Sequence, residues 1–284
     1  MDKARLIDEA FVNTFIKKRH MDLHKGDCGK VLIVAGSKGM AGAAILSARG
    51  ALRSGAGLVQ VSVPEELFSI IQVGVPEATC VSRTLPPDKL ENYQAVVVGP
   101  GLGDDKSNAP LIKNILESNC KAVVLDADSL NLISRFKELG ALLKAAEGRT
   151  VITPHPGEAA RLLKTSAKEI NADRIKAVRQ LAEQTGAVVV LKGAGTLVAT
   201  PNEKTYINTT GNPGMATGGS GDVLSGIIGG LLGQGLSCLE AASVGVYIHG
   251  LAGDLAANSL GEYGIIATDI ASMAALAIKQ TIKT

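Results

Sequence analysis

Six short runs of aliphatic, mostly β-branched residues recur along the chain: KVLIVAG (30–36), LVQVSV (58–63), AVVVGPG (95–101), KAVVLDA (121–127), TVITP (150–154) and AVVVLKG (187–193). They are nearly unbroken rather than alternating, the pattern of strands covered on both faces. Longer amphipathic stretches lie between them, among them AGAAILSARGALRSG, SNAPLIKNILESN and AKEINADRIKAVRQLAEQTG. Strand, helix, strand in alternation predicts a mostly parallel sheet flanked by crossover helices. The pattern changes after residue 193. TLVAT and KTYIN flank PNE and read as a hairpin. From Ser220 the chain reads as helix, over 220–234, 238–257 and 268–281. No repeat, low-complexity tract or linker interrupts the 284 residues, so one α/β domain over 1–284 with a helical C-terminal third is expected.

Composition narrows the partners more than the fold. Hydrophobic residues make up 46% of the chain, which fits a globular core. Aromatics are 3% and tryptophan is absent, so stacking platforms for single strands are scarce. The 29 basic and 27 acidic residues are well mixed, and no basic stripe marks a nucleic-acid partner. Cys28, Cys80, Cys120 and Cys238 are far apart and form no C-x-x-C pair, so neither a disulfide framework nor a zinc site is expected, and a reducing cytoplasm fits. The first twenty residues carry charges throughout, unlike a secretory leader. The apolar run Val223 to Leu239 is cut by glycines and Gln234, and reads as a buried helix rather than a membrane span.

In open α/β sheets, ligands sit beyond the carboxyl ends of the strands, so the turns there hold the candidate chemistry. The most specific stretch is GNPGMATGGSGDVLSG (211–226), directly before an apolar helix. Glycines let backbone N–H groups approach an anion, and the helix N-terminus adds about half a positive charge. Gly219 and Gly221 are expected at positive φ. Asp222 falls in the first helical turn. The plain alternative is a carboxylate that only complements the helix dipole, but a cap needs one residue and not this whole loop. The same dipole leads to the expectation that Asp222 is ionised at neutral pH. Neither a P-loop nor a complete G-x-G-x-x-G is present.

The other turns each have two readings. KGAGT (192–196) offers the cation of Lys192 and the backbone of Gly193 and Gly195 to a phosphate, or is a common turn. In TPHPGEAARLL (153–163), Pro156 suits the first helical turn. There Glu158 reads as a cap or an active-site acid, and His155 as structural or as a ligand contact. GPGLG (99–103) and GMAGAA (39–44) admit either a ligand against bare backbone or close packing. DADSLN (126–131) places two carboxylates at a strand end, with Asp128 or Ser129 expected to cap the next helix.

GSKGMAGAAILSARGALRSGAGLV, GPGLG, VLDADSLN, TPHPGEAARLL, VVLKGAGT and GNPGMATGGSGDVLSG, in this order, resemble the NAD(P)H-hydrate dehydratases over roughly residues 25–275. The resemblance implies a ribokinase-like fold and a metabolite-repair lyase that restores NADH or NADPH from the hydrated cofactors NADHX and NADPHX. A nucleotide phosphorylates the new hydroxyl, and phosphate then leaves. It implies that Ala43, Gly103 and His155 contact the hydrated dinucleotide. Lys192, Gly193, Ala194, Gly195, Thr196 and Gly221 would hold the adenine nucleotide, Asp222 would be the base, and GGSG the anion hole. Mg²⁺ is expected with ADP, or ATP, as phosphoryl donor. Glu158 falls where ribokinase-like enzymes keep an acid that helps to organise the metal; the metal ligands themselves stay unassigned. The length corresponds to the stand-alone bacterial, ADP-using type, working beside a separate epimerase, and relatives imply a homotetramer. A vitamin-precursor kinase of the same fold, or a non-catalytic nucleotide sensor, are the competing readings. A kinase would leave a stable phosphorylated product, whereas the dehydratase releases phosphate.

Overall fold

The computed structural model describes residues 4–84, 87–201 and 205–282. Ten strands among them form one sheet: β1 (Arg5–Ile7), β2 (Lys30–Val34), β3 (Leu58–Ser62), β4 (Thr79–Val81), β5 (Ala95–Val98), β6 (Val123–Leu125), β7 (Thr150–Ile152), β8 (Val188–Leu191), β9 (Leu197–Ala199) and β10 (Tyr206–Asn208). Their order is β1-β10-β9-β8-β7-β6-β5-β2-β3-β4. All pairings are parallel except β8 with β9 and β9 with β10. All six expected strands are present, and so is the hairpin, although its residues 202–204 lie outside the described residues. The edge strands β1 and β4 went unpredicted. Each is three residues long and lacks the continuous apolar run of the central strands.

The helices are α1 (Glu9–Val12), α2 (Ala41–Arg53), α3 (Phe68–Gly74), α4 (Pro87–Leu90), α5 (Ala109–Glu117), α6 (Asp128–Arg135), α7 (Lys137–Ala145), α8 (Pro156–Leu163), α9 (Ala167–Ala172), α10 (Arg174–Thr185), α11 (Ser220–Gly233), α12 (Cys238–Leu260) and α13 (Ala267–Thr281). The stretch 167–186 is therefore two helices and not one. Asp173 leaves the helical region (φ −146°, ψ 80°), and its side chain accepts from Lys176 N to start α10.

Alternate strand residues feed two cores, as a period of two demands. Val31, Ile33, Val97, Val124 and Val151 face α2, α11, α12 and α13, whereas Leu32, Val34, Val96, Val98 and Leu125 face α5, α6, α8 and α10. The apolar face of α11 lies over the sheet centre, where Gly229 abuts Val97. The glycines of α11 serve a second contact. A Cβ on Gly226 would stand 1.9 Å from Ser47 O, one on Gly230 2.7 Å from Ala51 O, and one on Gly50 2.4 Å from Val223 O. Helices α2 and α11 thus touch backbone to backbone. No helix among the described residues is long and apolar enough to cross a membrane, and all four cysteines are free.

Strand order reverses between β2 and β5: the chain runs outward from β2 through β3 and β4, then outward on the other side from β5 to β8. Such a reversal splays the turns on its two sides and opens a crevice. The turn 36–40 after β2 and the turn 99–103 after β5 flank it.

Candidate functional site

The turns after β2, β5, β6, β7 and β8 and the start of α11 bring most of the expected site residues together. Lys192, just past β8, sits at the centre. Its Nζ donates to Asp126 Oδ1 at 2.8 Å and lies 3.8 Å from Glu158 Oε2. Gly221 is beside it, since a Cβ there would stand 3.2 Å from Lys192 Nζ. Asp222 completes the group, half-buried and within electrostatic reach of Lys192, Asp126, Asp128 and Glu158. Asp126 is 1% exposed and Glu158 4%.

This crowding overturns the expectation that Asp222 is ionised at neutral pH. Burial, and then the nearby Asp126, push its carboxyl up to about 7, against the partial help of Lys192. The helix dipole is a local effect of at most a unit or so, whereas desolvation and like charges shift a carboxyl by several. Asp222 is thus poised as a base near neutrality, where general bases work best. Burial and Asp126 also raise Glu158. Burial alone would lower Lys192, but Asp126 and Glu158 outweigh it, so the ammonium stays charged.

His155 caps α8. Its Nδ1 accepts from Gly157 N at 3.0 Å, and Glu158 Oε2 accepts from His155 N at 2.8 Å, a reciprocal capping box with Pro156 as the first helical residue. The ring is half exposed, and its pKa is lowered by burial and then by Lys192 and Arg161, so it is presented neutral. Glu158 therefore both caps and joins the charge cluster. Asp128 and Ser129 do not cap α6, contrary to expectation. Ala127 takes that place at φ +50° without a side-chain bond, while Asp128 Oδ2 accepts from Gly103 N at 2.8 Å and Ser129 Oγ donates to Val98 O and Asp126 O. Asp128 thereby fixes the 99–103 turn. Ala43 packs on the same turn, since a Cβ on Gly101 would lie 2.8 Å from its own.

Gly193 (φ +140°) and Gly195 (φ +58°) let the KGAGT turn bend sharply. Thr196 Oγ1 donates to Gly193 O, and the Arg174 guanidinium donates to the carbonyls of Leu191, Lys192 and Ala194. Gly193 and Ala194 are exposed. Arg174 and Asp126 were missed as site residues. Asp126 had a usable signal in its strand-end position, whereas Arg174 reaches this turn from the start of α10 and only the fold shows it. A cavity of about 790 Å³, lined by Leu163, Asp173 and Lys176 among others, lies elsewhere and holds none of these groups.

Gly219 is in the left-handed region (φ +88°) and forms the N-cap of α11 without a side-chain bond, but Gly221 is helical, so only half of the φ expectation holds. Valine at Gly219 is expected to cost about 1–2 kcal/mol of strain. Valine at Gly221 is expected to displace Lys192. Both variants should keep the fold by circular dichroism and lose about tenfold or more in ADP affinity by calorimetry, equivalent to about 1.4 kcal/mol. Unchanged affinity in both would remove the cradle.

A family model described as NAD(P)H-hydrate dehydratase matches residues 31–275. The chain belongs to this family. The ADP-dependent (S)-NAD(P)H-hydrate dehydratase of Neisseria meningitidis serogroup B is 43% identical over 262 residues, covering 91% of this chain and 88% of the relative. The bifunctional NAD(P)H-hydrate repair enzyme of Coxiella burnetii is 43% identical over 270 residues, which are 94% of this chain but 54% of that protein. The chain spans about half the length of the bifunctional family members it matches. The ADP/ATP-dependent NAD(P)H-hydrate dehydratase of Bacillus subtilis, co-crystallised with ATP and Mg²⁺, superposes with a TM-score of 0.85 at 29% identity, over 98% of this chain and 99% of that one. A ribokinase-like superfamily protein of Enterococcus faecalis does so at 0.88 and 28%, over 99% and 97%. The family member described here has the ribokinase-like fold. A hydroxyethylthiazole kinase of Pyrococcus horikoshii, 16% identical with a TM-score of 0.62, shares that fold alone.

Proposed function

We propose that this chain, acting as a single domain over residues 1–284, restores NADH or NADPH from NADHX or NADPHX with an adenine nucleotide as phosphoryl donor. The observation that carries the reading is Asp222 at the start of α11, poised near neutral pKa beside Lys192. Ala43, Gly103 and His155, with Asp222, contact the hydrated dinucleotide. Lys192, Gly193, Ala194, Gly195 and Thr196, with Gly221, hold the nucleotide.

The hydroxyl oxygen of the hydrate attacks the terminal phosphorus of ADP, and the bond to the leaving AMP breaks. Asp222 takes the hydroxyl proton. Developing charge on the phosphoryl oxygens meets the backbone of residues 218–221 and the positive end of α11, and Lys192 adds a full charge. The ring nitrogen lone pair then expels phosphate, leaving an iminium, and loss of a proton to water from the ring carbon next to the one that bore the hydroxyl completes the dihydropyridine. The net reaction is hydrate plus ADP giving reduced cofactor, AMP and phosphate.

Asp126 and Glu158 approach the Lys192 ammonium at 2.8 and 3.8 Å, and Asp222 lies within electrostatic reach of it. No three potential ligand side chains converge as a metal cage among the described residues. That donor set fits Mg²⁺ as it usually binds beside nucleotides, through phosphates and one or two carboxylates. Glu158 and Asp126 would hold it, and it would supply charge neutralisation at the phosphates. In the cell the chain works in the cytoplasm as a homotetramer, with a separate epimerase supplying the reactive hydrate epimer.

Mixing the protein with hydrated cofactor, Mg²⁺ and nucleotide should restore the dihydronicotinamide absorbance and release phosphate. Without nucleotide no recovery is expected, and ADP should outperform ATP. Full recovery without nucleotide would refute phosphorylation. A stable phosphorylated product with no phosphate released would make the protein a kinase.

A further inference from the structure

His249 is a buried histidine that the phosphoryl-transfer chemistry leaves unused. It lies in α12, 9% exposed, with Nε2 2.9 Å from Ser220 O and 3.3 Å from Ser220 Oγ. A carbonyl oxygen only accepts, so Nε2 carries a hydrogen and donates it. The Ser220 hydroxyl can share that N–H only as an acceptor, so its own proton is not spent on the imidazole. Ser220 Oγ makes no other hydrogen bond among the described residues. Ser220 is the first residue of α11, between Gly219 and Gly221.

The same helix also holds residues 208 and 210–212, earlier in the segment that leads to this point. Asn208 Nδ2 donates to Val246 O at 3.1 Å and Thr210 Oγ1 to Tyr247 O at 2.8 Å. Asp254 accepts from Gly211 N and Asn212 Nδ2, both at 2.9 Å. His249 is the contact at the cradle end of this series. Resting on the phosphoryl-transfer reading, the geometry points to His249 as a positioning residue: it fixes the first turn of α11 and leaves the Ser220 hydroxyl proton to be donated to the phosphoryl group in transfer. Burial pushes the imidazole down to about 4, so it stays neutral at working pH and is no proton shuttle there.

The test compares wild type, His249→Leu, His249→Gln and Ser220→Ala with hydrated NADH, Mg²⁺ and ADP. Glutamine can place an amide N–H where Nε2 stood. His249→Leu should lower kcat about 10- to 100-fold with KM for ADP within about threefold, because a small misplacement of a cradle donor is costly. His249→Gln should stay within about threefold of wild type. Ser220→Ala should fall as far as His249→Leu, and the double variant little further, since both remove one interaction. A wild-type kcat in His249→Leu or in Ser220→Ala overturns the assignment, as does a glutamine variant as slow as the leucine one. If His249→Leu does not fold, the other two variants still decide. An inactive wild type would instead count against the dehydratase reading. The same proteins titrated with inorganic phosphate in the presence of AMP and Mg²⁺ then decide: about tenfold weaker binding in His249→Leu and Ser220→Ala supports the clamp, and equal binding in all overturns it.

Discussion

Asp222→Asn is expected to lower kcat about 10²–10⁴-fold while the fold and the nucleotide affinity survive. Asparagine keeps the shape and can still hydrogen-bond, but it cannot accept the hydroxyl proton. The wild-type rate should rise with pH as the carboxyl ionises, with an acid limb that Mg²⁺ on Asp126 and Glu158 would draw below the metal-free value of about 7, and this limb should vanish in the variant. Stability should move the other way. An unfolded aspartate titrates near about 3.9, whereas the folded carboxyl holds its proton up to about 7. Folding is therefore favoured while the proton stays bound, and that contribution is lost as pH rises through this window. The variant has no such loss. Its Tm should exceed that of wild type at about pH 8 and approach it at about pH 4. Active sites often trade stability for function in this way. Rates within a few-fold of wild type would reduce Asp222 to a residue that complements a helix end.

Lys192→Met is expected to cost about 3 kcal/mol or more at neutral pH, because removing one partner of a buried ion pair strands the other. Asp126 is 1% exposed and the Lys192 side chain 19%. The loss should shrink in acid, where the Glu158 carboxyl, raised by burial, can protonate. Adding Asp126→Asn should recover much of it, since the uncompensated charge is then gone. Activity should fall, and what remains should need higher pH, because Lys192 is the cation that holds Asp222 down against its acidic neighbours. Denaturant melts and pH–rate profiles measure both. A melt within about 1 kcal/mol of wild type with an unshifted profile would mean that the pair is effectively solvated.

The central strands and the last three helices were legible because their signals are local: unbroken valine runs for the strands, and long apolar stretches bounded by glycine for the helices. So was the end of the sheet that holds the site. What escaped was non-local. Asp126 meets Lys192 across 66 positions, and His249 meets Ser220 across 29. No spacing along the chain announces either contact. The ionisation of Asp222 was misjudged for the same reason: its own helix is visible in the sequence, whereas the carboxylates that surround it come from the ends of other strands. Asp128 looked like a cap by position and instead serves a neighbouring turn.

The contact between α2 and α11 also sets an orientation. Leu46 meets Gly219, Gly50 meets Val223 and Ser54 meets Gly230, so the two helices run in the same direction. Parallel dipoles side by side repel, and here both positive ends emerge at the tip where Ala43 and Asp222 stand. An anion seated there relieves both helices at once. The close backbone contact at Gly50, Gly226 and Gly230 brings the two dipoles to short range, where that repulsion is strongest. A phosphate bound at this tip is therefore expected to raise the stability of the fold as well as to complete the site.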